Sequence, residues 1–208
     1  HAVCASLEDR PRLAVITGGA DGIFAAGADI AQLRDRTSLD ALRAINYGLF
    51  RRIRALPLPT VAAIDGPALG GGAELTYACD IRVCTDRAVF GQPEVRLGIM
   101  AGAGASHRLP ALVGESLAKE LLFTGRRMDA GEALAARLVS QVVAPEELLD
   151  TAHRLLDQMA KASGLALRLT KLAVDAETPH PAIDLAAQSL LFDNDDKHRR
   201  MTKFLDKR

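Results

Sequence analysis

Three short apolar segments, RLAVITG (12–18), PTVAAIDG (59–66) and IRVCT (81–85), constrain this chain most, because helix-patterned stretches lie between them. Each is short, apolar and rich in β-branched residues, the pattern of a buried strand. Strands joined by helical crossovers pair in parallel, so the first half reads as α/β. Between the first two segments, Ser38 suits an N-cap, and Leu39, Leu42, Ile45, Leu49 and Ile53 recur at helical spacing. This predicts one helix that stops before Pro57. A further short strand is expected near Phe90.

After Gly102 the texture becomes helical. SHRLPALVG, GESLAKELLFTG, DAGEALAARLV, PEELLDTAHRLLDQMAKAS, LALRLTKLAVDAE and PAIDLAAQSLLFDNDDKHRRMTKFLDK each read as helix. DAGE (129–132) resembles a capping box, and Pro145 suits a first helical turn. No linker separates two cores. The expected organisation is an α/β core over 1–140 and a helical C-terminal region over 141–208 that is not an independent domain.

With 26 basic and 26 acidic residues, the chain lacks the electrostatic footprint of a nucleic-acid or polybasic membrane binder, which favours a small-molecule role. Its three cysteines, at 4, 79 and 84, form no CxxC pair, so neither a disulfide framework nor a zinc knuckle is supported, and Cys79 and Cys84 read as core. No apolar run reaches the ~18 residues of a membrane span. A cytoplasmic protein is the expectation.

The segment GPALGGGAELTYACD (66–80) sets three glycines before an apolar helical run. Each costs ~0.5–1 kcal/mol in an ordered element, so a close backbone neighbour or a ligand must account for them. No Lys-Ser/Thr follows to make a P-loop, and neither GGADG nor GAGAS completes GxGxxG. Glycines at a helix start leave N–H groups open to an anion or to charge developing on a carbonyl. Glu74 and Glu94 both stand in apolar settings, and burial would raise at least one of their pKa values, giving a proton donor beside an ionised partner.

The strings FAAGADI (24–30), IDGPALGGGAEL (64–75), FGQPEVRLGI (90–99) and GAGASHRLPALVG (102–114) resemble, in this order, the enoyl-CoA hydratases of the crotonase superfamily. The resemblance runs from about Leu13 to the C-terminus. It implies a ClpP/crotonase-like fold of repeated ββα units with a helical C-terminal trimerisation region. The family's opening strands and most of its first helix are absent, and HAVCASLED matches that helix's end.

By the same resemblance, the amides of Ala28 and Gly71 hold the thioester carbonyl of an acyl-CoA. Glu74 acts as base on a water, Glu94 as acid toward Cα, and the Gly102 amide helps to place the water. Ala26, Asp29, Ile30, Gly70, Phe204 and Lys207 are implied to bind substrate, the last two approaching the CoA of a neighbouring subunit in a homotrimer or homohexamer. No cofactor is implied, since coenzyme A belongs to the substrate. The alternatives left open are an enoyl-CoA isomerase or another acyl-CoA lyase of the family, and a non-catalytic member.

Overall fold

The structure, a computed structural model, describes residues 1–19, 22–176 and 181–206. Helix α1 (Ala2–Asp9) leads to β1 (Ala14–Thr17), followed by helices α2 (Ile30–Arg34), α3 (Ser38–Leu42) and α4 (Ile45–Arg54). Next come β2 (Thr60–Ile64), β3 (Pro67–Leu69), α5 (Gly71–Ala78), β4 (Ile81–Thr85) and β5 (Val89–Gly91), then a 3-10 turn at Pro93–Leu97. Helices α6 (Ala105–Val113) and α7 (Glu115–Thr124), strand β6 (Arg127–Asp129), helix α8 (Ala130–Ala135) and strand β7 (Gln141–Val143) complete the sheet-bearing part. A 3-10 turn at Pro145–Glu147 opens the run α9 (Leu148–Ala160), α10 (Gly164–Asp175), α11 (Pro181–Phe192) and α12 (Asp195–Leu205).

Two sheets form. The first is all parallel in the order β1-β2-β4-β7, with Ala14 opposite Thr60, Val61 opposite Ile81 and Val83 opposite Gln141. Its edge strand β7 comes from beyond residue 140. Strand β2 shows no hydrophobic alternation because both its faces are covered. Val61 and Ala63 pack with Leu148 and Ala152 of α9, while Ala62 and Ile64 pack with Phe24, Tyr77, Phe90 and Leu109. Cys79 and Cys84 are buried in that second cluster as free thiols.

The second sheet, β3-β5-β6, contains the strand expected near Phe90 as β5; β3 and β6 have three residues each, too few to show a period, and only the resemblance implies the repeated unit. Strands β3 and β5 are parallel with Leu69 opposite Gly91, and an isolated bridge sets Ala25 beside Ala68. The chain thus repeats a unit in which a strand of the first sheet passes to a short strand of the second and then into a helix. At the end of the second sheet, three adjacent chain segments leave side by side, just past Ala25, Leu69 and Gly91.

The expected single helix over 38–53 is two helices. Ala44 takes φ 50°, a left-handed conformation, between α3 and α4. The apolar stripe has two destinations: Phe50 and Ile53 are buried against Cys4, Leu56 and Ala78, whereas Leu42 and Ile45 turn to a cavity. One straight helix cannot serve both. The N-cap of α3 is Thr37 rather than Ser38, in a reciprocal capping box with Asp40. The final expected helix also divides, between Phe192 and Asp195, where Asn194 caps α12.

Candidate active site

The three glycines at 70–72 answer to three different neighbours. Gly70 caps α5 with φ 54° and ψ −126°, and a Cβ there would lie 2.9 Å from Glu94 Oε1. A Cβ at Gly72 would come 2.0 Å from the Ala25 carbonyl oxygen, so this glycine is a close backbone packing. At Gly71 nothing lies nearer than Asn46 Nδ2, 3.7 Å away. Gly71 heads α5, where N–H groups have no partner within the helix, and its amide meets no acceptor among the described residues.

Ala28 is likewise without a backbone acceptor among the described residues. The bridge between Ala25 and Ala68 brings its segment alongside β3, and a Cβ at Gly27 would lie 3.8 Å from the Gly71 nitrogen. Ala28 and Gly71 line one cavity of about 520 Å³, together with Ala26, Ile30, Gly70, Glu74, Glu94 and Gly102.

Glu74 is 4% exposed, one turn into α5. Its Oε1 accepts the N–H of Ala103 at 2.7 Å and of Ala105 at 3.0 Å. Burial pushes its pKa up, and the two amides, which favour the carboxylate, oppose that rise. Glu94 sits half-buried in the 3-10 turn after β5, and its pKa is raised chiefly by burial and further by the charge of Glu74. With its amide turned to donate, buried Gln92 places Nε2 3.1 and 3.0 Å from the two Glu94 oxygens. Donors on both sides hold the acids in place.

Several expected site residues are placed otherwise. Asp29 does not line the cavity: it caps α2, its carboxylate accepting the Ala31 N–H at 2.8 Å. Gly102 lines the cavity, but the amides that reach Glu74 are those of Ala103 and Ala105. Lys207 lies outside the described residues, as does the side chain of Phe204, whose backbone belongs to α12. The sequence reading missed Asn46 and Tyr47, which line the cavity from the first turn of α4, and Gln92, which stands two residues before Glu94. The only local signal for Gln92 was its place in the FGQPE string.

Among the described residues no group of three or more His, Cys, Asp or Glu gathers to hold a metal, and no helix is long and apolar enough to cross a membrane.

Residues 3–208 match the family described as Enoyl-CoA hydratase/isomerase. The chain is 43% identical over 204 residues to a crotonyl-CoA hydratase of Syntrophomonas wolfei, covering 94% of this chain and 78% of that one. It is 39% identical over 202 residues to a short-chain-enoyl-CoA hydratase of Clostridium acetobutylicum, covering 93% and 77%. An enoyl-CoA hydratase structure from Bacillus anthracis superposes on the whole chain and on 84% of itself, with TM-score 0.93 and 31% identity. The architecture of parallel sheet, repeated strand–strand–helix units and helical C-terminus is therefore the crotonase fold. On these grounds the chain belongs to the enoyl-CoA hydratase/isomerase family of the crotonase superfamily and stands within it among the hydratases.

Proposed function

We propose that this protein adds water across the C2=C3 bond of a short 2-enoyl-CoA, giving a 3-hydroxyacyl-CoA. The observation that carries the reading is one cavity lined by two buried or half-buried carboxyls and by the open amides of Ala28 and Gly71. The names of the two hydratase relatives support a short acyl group.

In the proposed reaction the thioester oxygen accepts hydrogen bonds from the Ala28 and Gly71 N–H groups. Charge moves onto that oxygen as the water oxygen bonds to C3, so these donors act most strongly on the transition state. Glu74, whose carboxylate form two amides favour against the effect of burial, takes a proton from the attacking water, and the Gly102 amide helps to place it. Glu94, the acid whose neighbour carries the negative charge, delivers its proton to C2. A water is added and no electron changes hands, so the step calls for no redox group. Each acid or base contributes about 10²- to 10⁴-fold in rate.

Incubating crotonyl-CoA with the protein is expected to give a product heavier by one water. Glu74→Gln and Glu94→Gln should each lower turnover by at least about 10²-fold. Product of unchanged mass would indicate isomerisation instead, and near-normal turnover in either variant would refute the two-acid assignment.

A further inference from the structure

A second cavity, of about 580 Å³, opens on the other side of Glu74. It shares Tyr47, Glu74 and Ala103 with the first, so the two spaces meet along that edge. Its lining is cationic: Arg51 and Arg54 come from α4 and Arg108 from α6. Two acids line the same space: Glu74 on its shared edge, and Asp175, whose carboxylate is held by Arg54 at 2.8 Å. Arg108 stands about one turn after Ala105, whose N–H holds Glu74, and its Nε donates to the neutral carbonyl of Tyr77 at 3.3 Å. It forms no ion pair among the described residues. Burial, with repulsion from Arg54 and Arg82, pushes its pKa down to about 10 against the opposing pull of Asp175 and Asp80.

A third cavity, past Glu94 and Met100, is walled by Val95, Leu122 and Phe123 and suits an uncharged chain. Its two flanking charges, Glu115 and Lys119, are paired with each other. Of these two cavities, the one on the Glu74 side carries the arginines.

Resting on the hydratase reading for where the thioester sits, we infer that the Arg51, Arg54 and Arg108 cluster is a subsite for a carboxylate at the far end of the acyl chain, so that the preferred substrates are monothioesters of short unsaturated dicarboxylic acids. Tyr47, Glu74 and Ala103 line both spaces, so an acyl chain that passes Glu74 in the first leads into the second.

Calorimetric titration of the protein with glutaryl-CoA and with pentanoyl-CoA, saturated and unreactive ligands of equal carbon count, tests the subsite apart from catalysis. Glutaryl-CoA is expected to bind tighter by about 10-fold or more, the scale of one hydrogen bond to a charged group. Arg51→Met and Arg108→Met should each remove most of that preference, and Arg51 is exposed enough that its replacement leaves the fold intact. Pentanoyl-CoA binding as tightly as glutaryl-CoA would overturn the inference. Equal weakening of both ligands in the variants would overturn it too, since the arginines would then hold a phosphate of CoA. A binding preference without hydration of either unsaturated analogue, glutaconyl-CoA or 2-pentenoyl-CoA, would sustain the subsite and strike the hydratase reading. Hydration of both without a binding preference would do the reverse.

Discussion

Gly71 and Gly72 are adjacent and chemically identical, yet opposite outcomes are expected on changing them. Gly72→Ala drives a methyl onto the Ala25 carbonyl, 2.0 Å away, and should cost about 3 kcal/mol in urea denaturation. Gly71→Pro meets no such neighbour and suits a first helical position, but it deletes the proposed donor. Its urea midpoint should stay closer to wild type than that of Gly72→Ala, while hydration falls by about 10²- to 10³-fold. The reverse pattern would show that the donor is elsewhere. The acids carry their own signature. Both have pKa values raised by burial on folding, so the folded protein holds their protons more firmly than the unfolded chain. Stability is then full below the unfolded carboxylate value, about 4.3, and is lost as pH rises through the folded values. The double variant Glu74→Gln with Glu94→Gln lacks these titrations, so the wild type's urea midpoint should decline relative to it above that pH. Parallel curves would mean that neither carboxyl is perturbed.

Among the elements, the break between α3 and α4 is what opens the cavity, since residues on both sides of it, Leu42, Ala44, Ile45 and Tyr47, form its wall. Periodicity alone assigned residues 38–53 to one helix because the stripe is continuous in sequence; the two destinations of that stripe are visible only in three dimensions. The break can be tested by sign. A non-glycine residue in the left-handed region costs roughly 1–2 kcal/mol, against roughly 0.5–1 for the greater freedom of glycine in the unfolded chain. Ala44→Gly should therefore stabilise by about 0.5–1 kcal/mol, whereas in an unbroken helix it would destabilise by about 1. A shift of the urea midpoint to lower denaturant would restore the single helix.

Taken as a whole, the molecule leaves large apolar side chains of its last two helices in solvent, among them Leu185, Leu190, Phe192, Met201 and Leu205. A homotrimer or homohexamer would cover such surface, and light scattering should then report about three or six times the 22.2 kDa chain mass. A stable particle of single-chain mass would exclude that assembly. The sequence by itself determined the parallel sheet, the crossover helices and the strings that carry Gly71, Glu74 and Glu94. Each of these leaves a local mark, such as a covered strand without alternation or a stripe at helical spacing. Tertiary structure decided how the second sheet pairs, which lines up the segments after Ala25, Leu69 and Gly91, and with it the one cavity that two acids and two amides line, a meeting that the strings imply by resemblance and not by any local pattern. It also decided that Ala103 and Ala105, about thirty residues away in the chain, hold Glu74. The physical reason is that a backbone N–H is common to every residue except proline. Which amides face a cavity, which carboxyl is desolvated and which glycine meets a neighbour depend on where the chain returns in space, and no side-chain pattern records that.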